Sequence, residues 1–168
     1  IEMKYIHGEV VKCLPLLAPV DLGGSTNASS YIDLDQAASA VTFEVSLGAM
    51  TATDTTEGVT IILEASTAGA GTDTQTALAF HYQVSSAVNT DAMGAESTSG
   101  STGILVDTTE DNAVALLYVE TPAVANAVTD GRYVRVGLDP GSSVSASIVG
   151  VNAWYIPRYA ASTSPSST

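Results

Sequence analysis

Fixed positive charge is nearly missing from this sequence: 5 Lys and Arg stand against 18 Asp and Glu, for a net charge of −13. That shortage excludes nucleic acid as a direct ligand, because a cationic surface is needed to displace counterions from phosphates. An anionic membrane surface is disfavoured for the same reason. Between Lys12 and Arg132 there is neither Lys nor Arg, while most of the carboxylates fall inside that interval. The cations therefore sit near the two ends, and all three arginines, Arg132, Arg135 and Arg158, lie in one late stretch.

Cysteine is limited to Cys13, so no internal disulfide framework is available. Its neighbours Val10, Val11, Leu14, Leu16 and Leu17 predict a buried, inert thiol. Histidine is limited to His7 and His81, and no G-x-S-x-G elbow accompanies them, so no enzyme activity is expected. The acidic stretches Asp33–Asp35 and Asp107–Asn112 lack the spacing of a calcium loop, and the "GAG" at Gly69–Gly71 lacks the rest of a phosphate-binding fingerprint. No metal and no cofactor are expected. There is no apolar run of about twenty residues and no secretion signal, which predicts synthesis in a cytoplasm and no membrane partner.

A long amphipathic helical period is also absent, and what replaces it is alternation. In "VTFEVSL" Val41, Phe43, Val45 and Leu47 alternate with Thr42, Glu44 and Ser46, the pattern of a half-buried strand. "VTIILEA" repeats it with Val59, Ile61, Leu63 and Ala65, and "LAFHYQV" with Leu78, Phe80, Tyr82 and Val84. Further runs are Gly103–Val106, Ala113–Glu120, Arg132–Leu138 and Ser143–Ile156, with shorter candidates at Glu9–Leu14 and Tyr31–Leu34. Eight or nine strands result, separated by connections rich in Gly, Asp, Ser and Thr.

"DPGS" at Asp139–Ser142 reads as the turn of a hairpin. The strand after it changes face, which predicts a bulge near Val149 or Gly150. "DLDQAASA" and "TPAVANAVTDG" each suit a short helical turn. Strands without βαβ alternation point to an all-β chain: an antiparallel β-sandwich, jelly-roll-like, with an extended N-terminal arm and a short polar C-terminal tail. The expected divisions are an arm over 1–17 that holds an edge strand, a sandwich over 18–160 and a tail over 161–168.

Trp154, Tyr155 and Tyr159 offer faces on which a sugar could stack, although core and contact roles are commoner for such residues. For the arginines two placements compete. Arg132 and Arg135 either reach a partner, where a planar guanidinium holds a carboxylate with two hydrogen bonds, or line the solvent face of an edge strand and discourage aggregation.

The order "MKYIHGEVVKCLPLLAPVD", "VTFEVSLGAMT", "GVTIILEAS", "GRYVRVGLD" and a closing "AWYIPRY" before a polar tail resembles small virion structural proteins of tailed bacteriophages, of the head decoration (cement) type. The resemblance implies a non-enzymatic protein on the outer surface of the head. It implies the major capsid protein as partner and self-association as a homotrimer. On that basis Lys4, Tyr5, Lys12, Arg132, Arg135, Trp154, Arg158 and Tyr159 are the expected contact residues. A tail-associated or receptor-binding β-sandwich and a carbohydrate-binding or adhesin module are the alternatives.

Overall fold

Val41, Phe43, Val45 and Leu47 do fall on one side of a single long strand, each at most 4% exposed. In a computed structural model that describes residues 11–69, 74–85, 92–110 and 112–157, that strand is the fourth of twelve. In chain order they are β1 (Lys12–Asp21), β2 (Asn27–Ala28), β3 (Ile32–Asp33), β4 (Ala37–Ala52), β5 (Gly58–Ser66) and β6 (Thr76–Leu78). They continue as β7 (Phe80–Val84), β8 (Ser97–Ser99), β9 (Ile104–Asp107), β10 (Val114–Glu120), β11 (Tyr133–Pro140) and β12 (Val144–Pro157). An α-helix, α1 (Thr121–Ala127), connects β10 to β11, and single 3-10 turns stand at Leu34–Gln36 and Thr108–Glu110. Helix α1 carries Pro122 in its first turn, where no backbone N–H is missed, and turns Val124 into the core.

The strands form two antiparallel sheets. The first runs β1-β12-β4-β10-β7-β8, and the second runs β2-β11-β5-β6, with β3 also on β11 and β9 also on β5. The expected sandwich is therefore present. Successive long strands cross between the layers, so β1-β12-β4 on one sheet faces β2-β11-β5-β6 on the other. With β10 beside β4 this is jelly-roll order, to which β7 and β8 are added beyond β10. The core is the shared inner face: Val59, Ile61, Leu63 and Ala65 of β5 and Val134 and Val136 of β11 pack towards Phe43, Leu117, Val149 and Val151. Each fully buried side chain of this size contributes about 1.5–3 kcal/mol relative to exposure.

Three local readings need correction. "DPGS" does not close a hairpin, because β11 and β12 belong to different sheets. Leu138 and Val149 both have to reach the core, from opposite layers, and the turn between them is held by Glu57, whose carboxylate accepts the Ser143 N–H at 2.6 Å. "LAFHYQV" is not one strand either: it breaks at Ala79, so that Leu78 enters the core from the second sheet and Phe80 from the first. Cys13 is exposed rather than buried, because the inward parity of β1 is taken by Leu14 and Leu16. Burial and then the nearby Glu44 carboxylate raise its pKa.

The change of face in β12 is real, but it is spread over register shifts at Val144/Ala146, Ser147/Val149 and Tyr155/Pro157. Val149, Val151, Ala153 and Tyr155 then point inward as expected. From Lys12 onward β1 pairs with β12 in the first sheet. As the edge strand expected in the arm, β1 is protected by Pro15 and Pro19, which offer no N–H to a neighbour, and by two register shifts. The proposed tail, 161–168, lies outside the described residues.

Candidate functional site

The two outer faces of the sandwich differ in chemistry. On the second sheet, β11 places Arg135 directly opposite Glu64 of β5. The Arg135 Nε donates to Glu64 Oε2 at 2.7 Å, and the guanidinium lies 5.0 Å over the Tyr31 ring. At the start of the same strand Arg132 grips Asp33 through two hydrogen bonds of 2.7 and 2.5 Å, and its Nε lies 3.2 Å from Asp35. The pairing raises the Arg132 pKa. At Asp33 burial opposes ionisation, but the Arg132 hydrogen bond, the Asp35 N–H and the Arg132 charge together leave its pKa lowered.

Both arginines thus have internal carboxylate partners. Their strand is not an edge, because β5 flanks it on one side and the short β2 and β3 on the other. The acidic face they sit in explains their position: each neutralises a carboxylate brought beside it by strand pairing.

On the first sheet the registers align one outward row across five strand pairings: Cys13, Trp154, Thr42, Tyr118, His81 and Thr98. The next outward row is Pro15, Asn152, Glu44, Leu116 and Gln83. Trp154 and Tyr118 are both opposite Thr42, so two large rings, 36% and 40% exposed, flank a small side chain. Their strands are two inter-strand spacings apart, about 9–10 Å. The Trp154 Nε1–H donates to Glu44 Oε2 at 2.9 Å, and Asn152 donates to the other oxygen at 3.4 Å. Beside Tyr118, His81 Nδ1 lies 3.1 Å from Glu96 and 3.5 Å from the Thr98 hydroxyl.

Two depressions share His81 and Tyr118. One of 340 Å³ extends over Thr42, Gln83, Glu96 and Leu116, and one of 140 Å³ over Thr98, Glu120 and Ala123. The arrangement does not place Thr98 as a nucleophile activated by His81. Glu96 and Thr98 both approach the same ring nitrogen of His81, whereas a base that activates a nucleophile is oriented through its other nitrogen. Among the described residues no group of three or more His, Cys, Asp and Glu is placed to hold a metal ion. None of their helices is long and apolar enough to cross a membrane.

The expected contact residues separate into two sets. Lys12 is paired with Tyr155, and Pro157 with Ala37, so the chain enters β1 and leaves β12 at one corner of the first sheet. Lys4, Tyr5, Arg158 and Tyr159 belong to the segments that join there and lie outside the described residues. Trp154 stands on the outer face one pair in from that corner, beside Cys13. Arg132 and Arg135 are instead on the second sheet. Tyr155, considered for sugar stacking, is buried, and burial raises its pKa. Tyr118 was not singled out from the sequence, although its signal was there: in "AVALLYVE" the inward parity is Ala115, Leu117 and Val119, which leaves Leu116 and Tyr118 as large side chains on the outward one.

No protein-family model matches the chain, and no curated protein does. Among solved structures, it aligns with a chain of infectious bursal disease virus Gt strain at 12% identity and a TM-score of 0.20, covering 88% of this chain and 41% of that one. The Gx strain gives 14% identity and a TM-score of 0.18, with 88% and 40% covered. The chain therefore spans about two fifths of those proteins, and likeness at this level carries no argument for fold or function.

Proposed function

We propose that this chain is a non-enzymatic virion structural protein of the head decoration type, seated on the outer surface of a phage head through the corner where the chain enters and leaves the sandwich. The observation that carries the reading is the pairing of β1 with β12, which brings together the attachment points of both terminal segments. Arg132 and Arg135 lie on the second sheet, and Lys4, Lys12 and Arg158 flank this corner in sequence. A capsid surface that presents carboxylates is the complementary partner. The acidic remainder of the molecule suits a face turned to solvent.

The resemblance of the sequence to cement proteins supports the same reading and supplies the homotrimeric state. In this reading Lys4, Tyr5, Lys12, Arg158 and Tyr159 make the contact, while Arg132 and Arg135 hold the second sheet together. The test is the copy number of the chain in purified particles, measured by mass spectrometry against the major capsid protein. A simple ratio to capsid subunits is expected. A few copies per particle would move the protein to the tail, and absence from particles would overturn the virion reading.

A further inference from the structure

We propose that the outer face of the first sheet binds a neutral oligosaccharide, stacked on Trp154 and Tyr118 and hydrogen-bonded by Glu44, Gln83, His81 and Glu96. The site needs no contribution from the corner invoked above and stands whether or not the protein is part of a virion.

Three observations carry it. First, Trp154 and Tyr118 expose ring surface at a separation set by the sheet itself, with only Thr42 between them. An exposed aromatic ring suits the C–H face of a pyranose, and rings carried on strands whose backbones lie two spacings apart, about 9–10 Å, can each meet a sugar of one chain. Second, the Trp154 ring is held in place: its Nε1–H is anchored on Glu44, which Asn152 also bonds. A ring fixed before binding loses little freedom on binding. Third, the polar groups around the rings are carboxylates, an amide, an imidazole and hydroxyls, which suit vicinal diols. Leu116 is the aliphatic side chain lining the larger depression and is half-buried, and Ile156 lies exposed two residues beyond Trp154 on β12.

Charge selects within the class of sugars. Glu44 and Glu96 line the site, and the chain carries a net charge of −13, so a sulfated, phosphorylated or sialylated polymer would be repelled. The two depressions on either side of the Tyr118–His81 row give an extended ligand room to continue along β7 and β10.

Trp154 is the sole tryptophan, so fluorescence excited selectively at tryptophan reports on this face. The purified full-length chain is titrated with oligomers of glucose, N-acetylglucosamine, galactose and mannose, with dextran sulfate as the anionic comparison. A saturable fluorescence change with at least one neutral series is expected, and none with dextran sulfate. Calorimetry with that series should show affinity weakened about tenfold by Tyr118→Ala and by Trp154→Ala. Leu105→Ala, on the other sheet, should not change it. Circular dichroism and thermal melting of each variant separate loss of the site from loss of the fold. The proposal is overturned by the absence of saturable binding across the neutral panel, by preference for dextran sulfate, or by affinity that survives both ring deletions. A fluorescence change on adding capsids and not sugars would make this face a protein contact and would equally overturn it.

Discussion

Replacing Arg135 by Ala separates the two explanations of the arginines, because one predicts a loss inside the molecule and the other a loss at its surface. The Arg135–Glu64 pair is 2.7 Å long with side chains only 22% and 18% exposed. It is therefore neither a solvated surface pair, worth about 0–1 kcal/mol, nor a fully buried one, whose disruption costs about 3–5 kcal/mol. An intermediate cost of about 2 kcal/mol follows, to which the lost contact with the Tyr31 ring contributes. For a chain of this size that corresponds to a melting temperature lower by about 4–8 °C.

Arg135→Glu should cost more, since it sets two carboxylates against each other across β11 and β5. The exchanged pair Glu64→Arg with Arg135→Glu should recover much of the loss, which a double-mutant cycle on thermal unfolding would resolve. If Arg135→Ala melts with the parent while its occupancy on particles falls, the internal role argued above is wrong and the arginine belongs to a partner contact.

Acid should weaken the fold through specific carboxylates. Asp33 has a lowered pKa in the folded chain, so its stabilisation is complete above the unfolded carboxylate value of about 3.9 and is lost as the pH falls through the folded one. Asp33→Asn should therefore melt below the parent at pH 7, with the gap narrowing below about pH 4. Gly58 allows β9 to lie close to β5: a Cβ there would stand 1.9 Å from the Val106 carbonyl oxygen. Gly58→Ala should cost about 3 kcal/mol or more, read by chemical denaturation or as loss of soluble protein. In the core, Phe43→Ala removes a side chain with no exposure and should cost about 3–5 kcal/mol. A smaller change in the denaturation midpoint would mean that the surrounding strands close over the gap.

Alternation made the layers legible before any coordinates, because a period of two fixes which side chains share a face. Phe43 and Leu63 could be placed in the core from their neighbours alone. Which layer a strand joins is set by pairing between distant segments, and that is where reading failed: "DPGS" looks the same whether it turns a strand back on its neighbour or across to the other sheet. The break at Ala79 is hidden for the same reason. Cys13 was misplaced because apolar neighbours on both parities obscure which one faces in. Of the candidate site, Trp154 was visible as a rare residue, whereas its partnership with Tyr118 and Glu44 depends on the register of β4 between β12 and β10, which no local pattern encodes.

The position of β12 also governs how this fold is reached. It pairs with both β1 and β4 in the first sheet, yet it is made after every other described strand. Until it arrives, β4 lacks a neighbour along one whole side, and β1 has no described partner in its sheet. The nascent chain therefore carries an open strand edge until β12 is made, the condition in which pairing with another copy competes with pairing at home. Completing the first sheet requires the first and last described strands to meet, so closure is slow. Losing β12 would leave an adhesive half-sheet in place of a smaller folded domain.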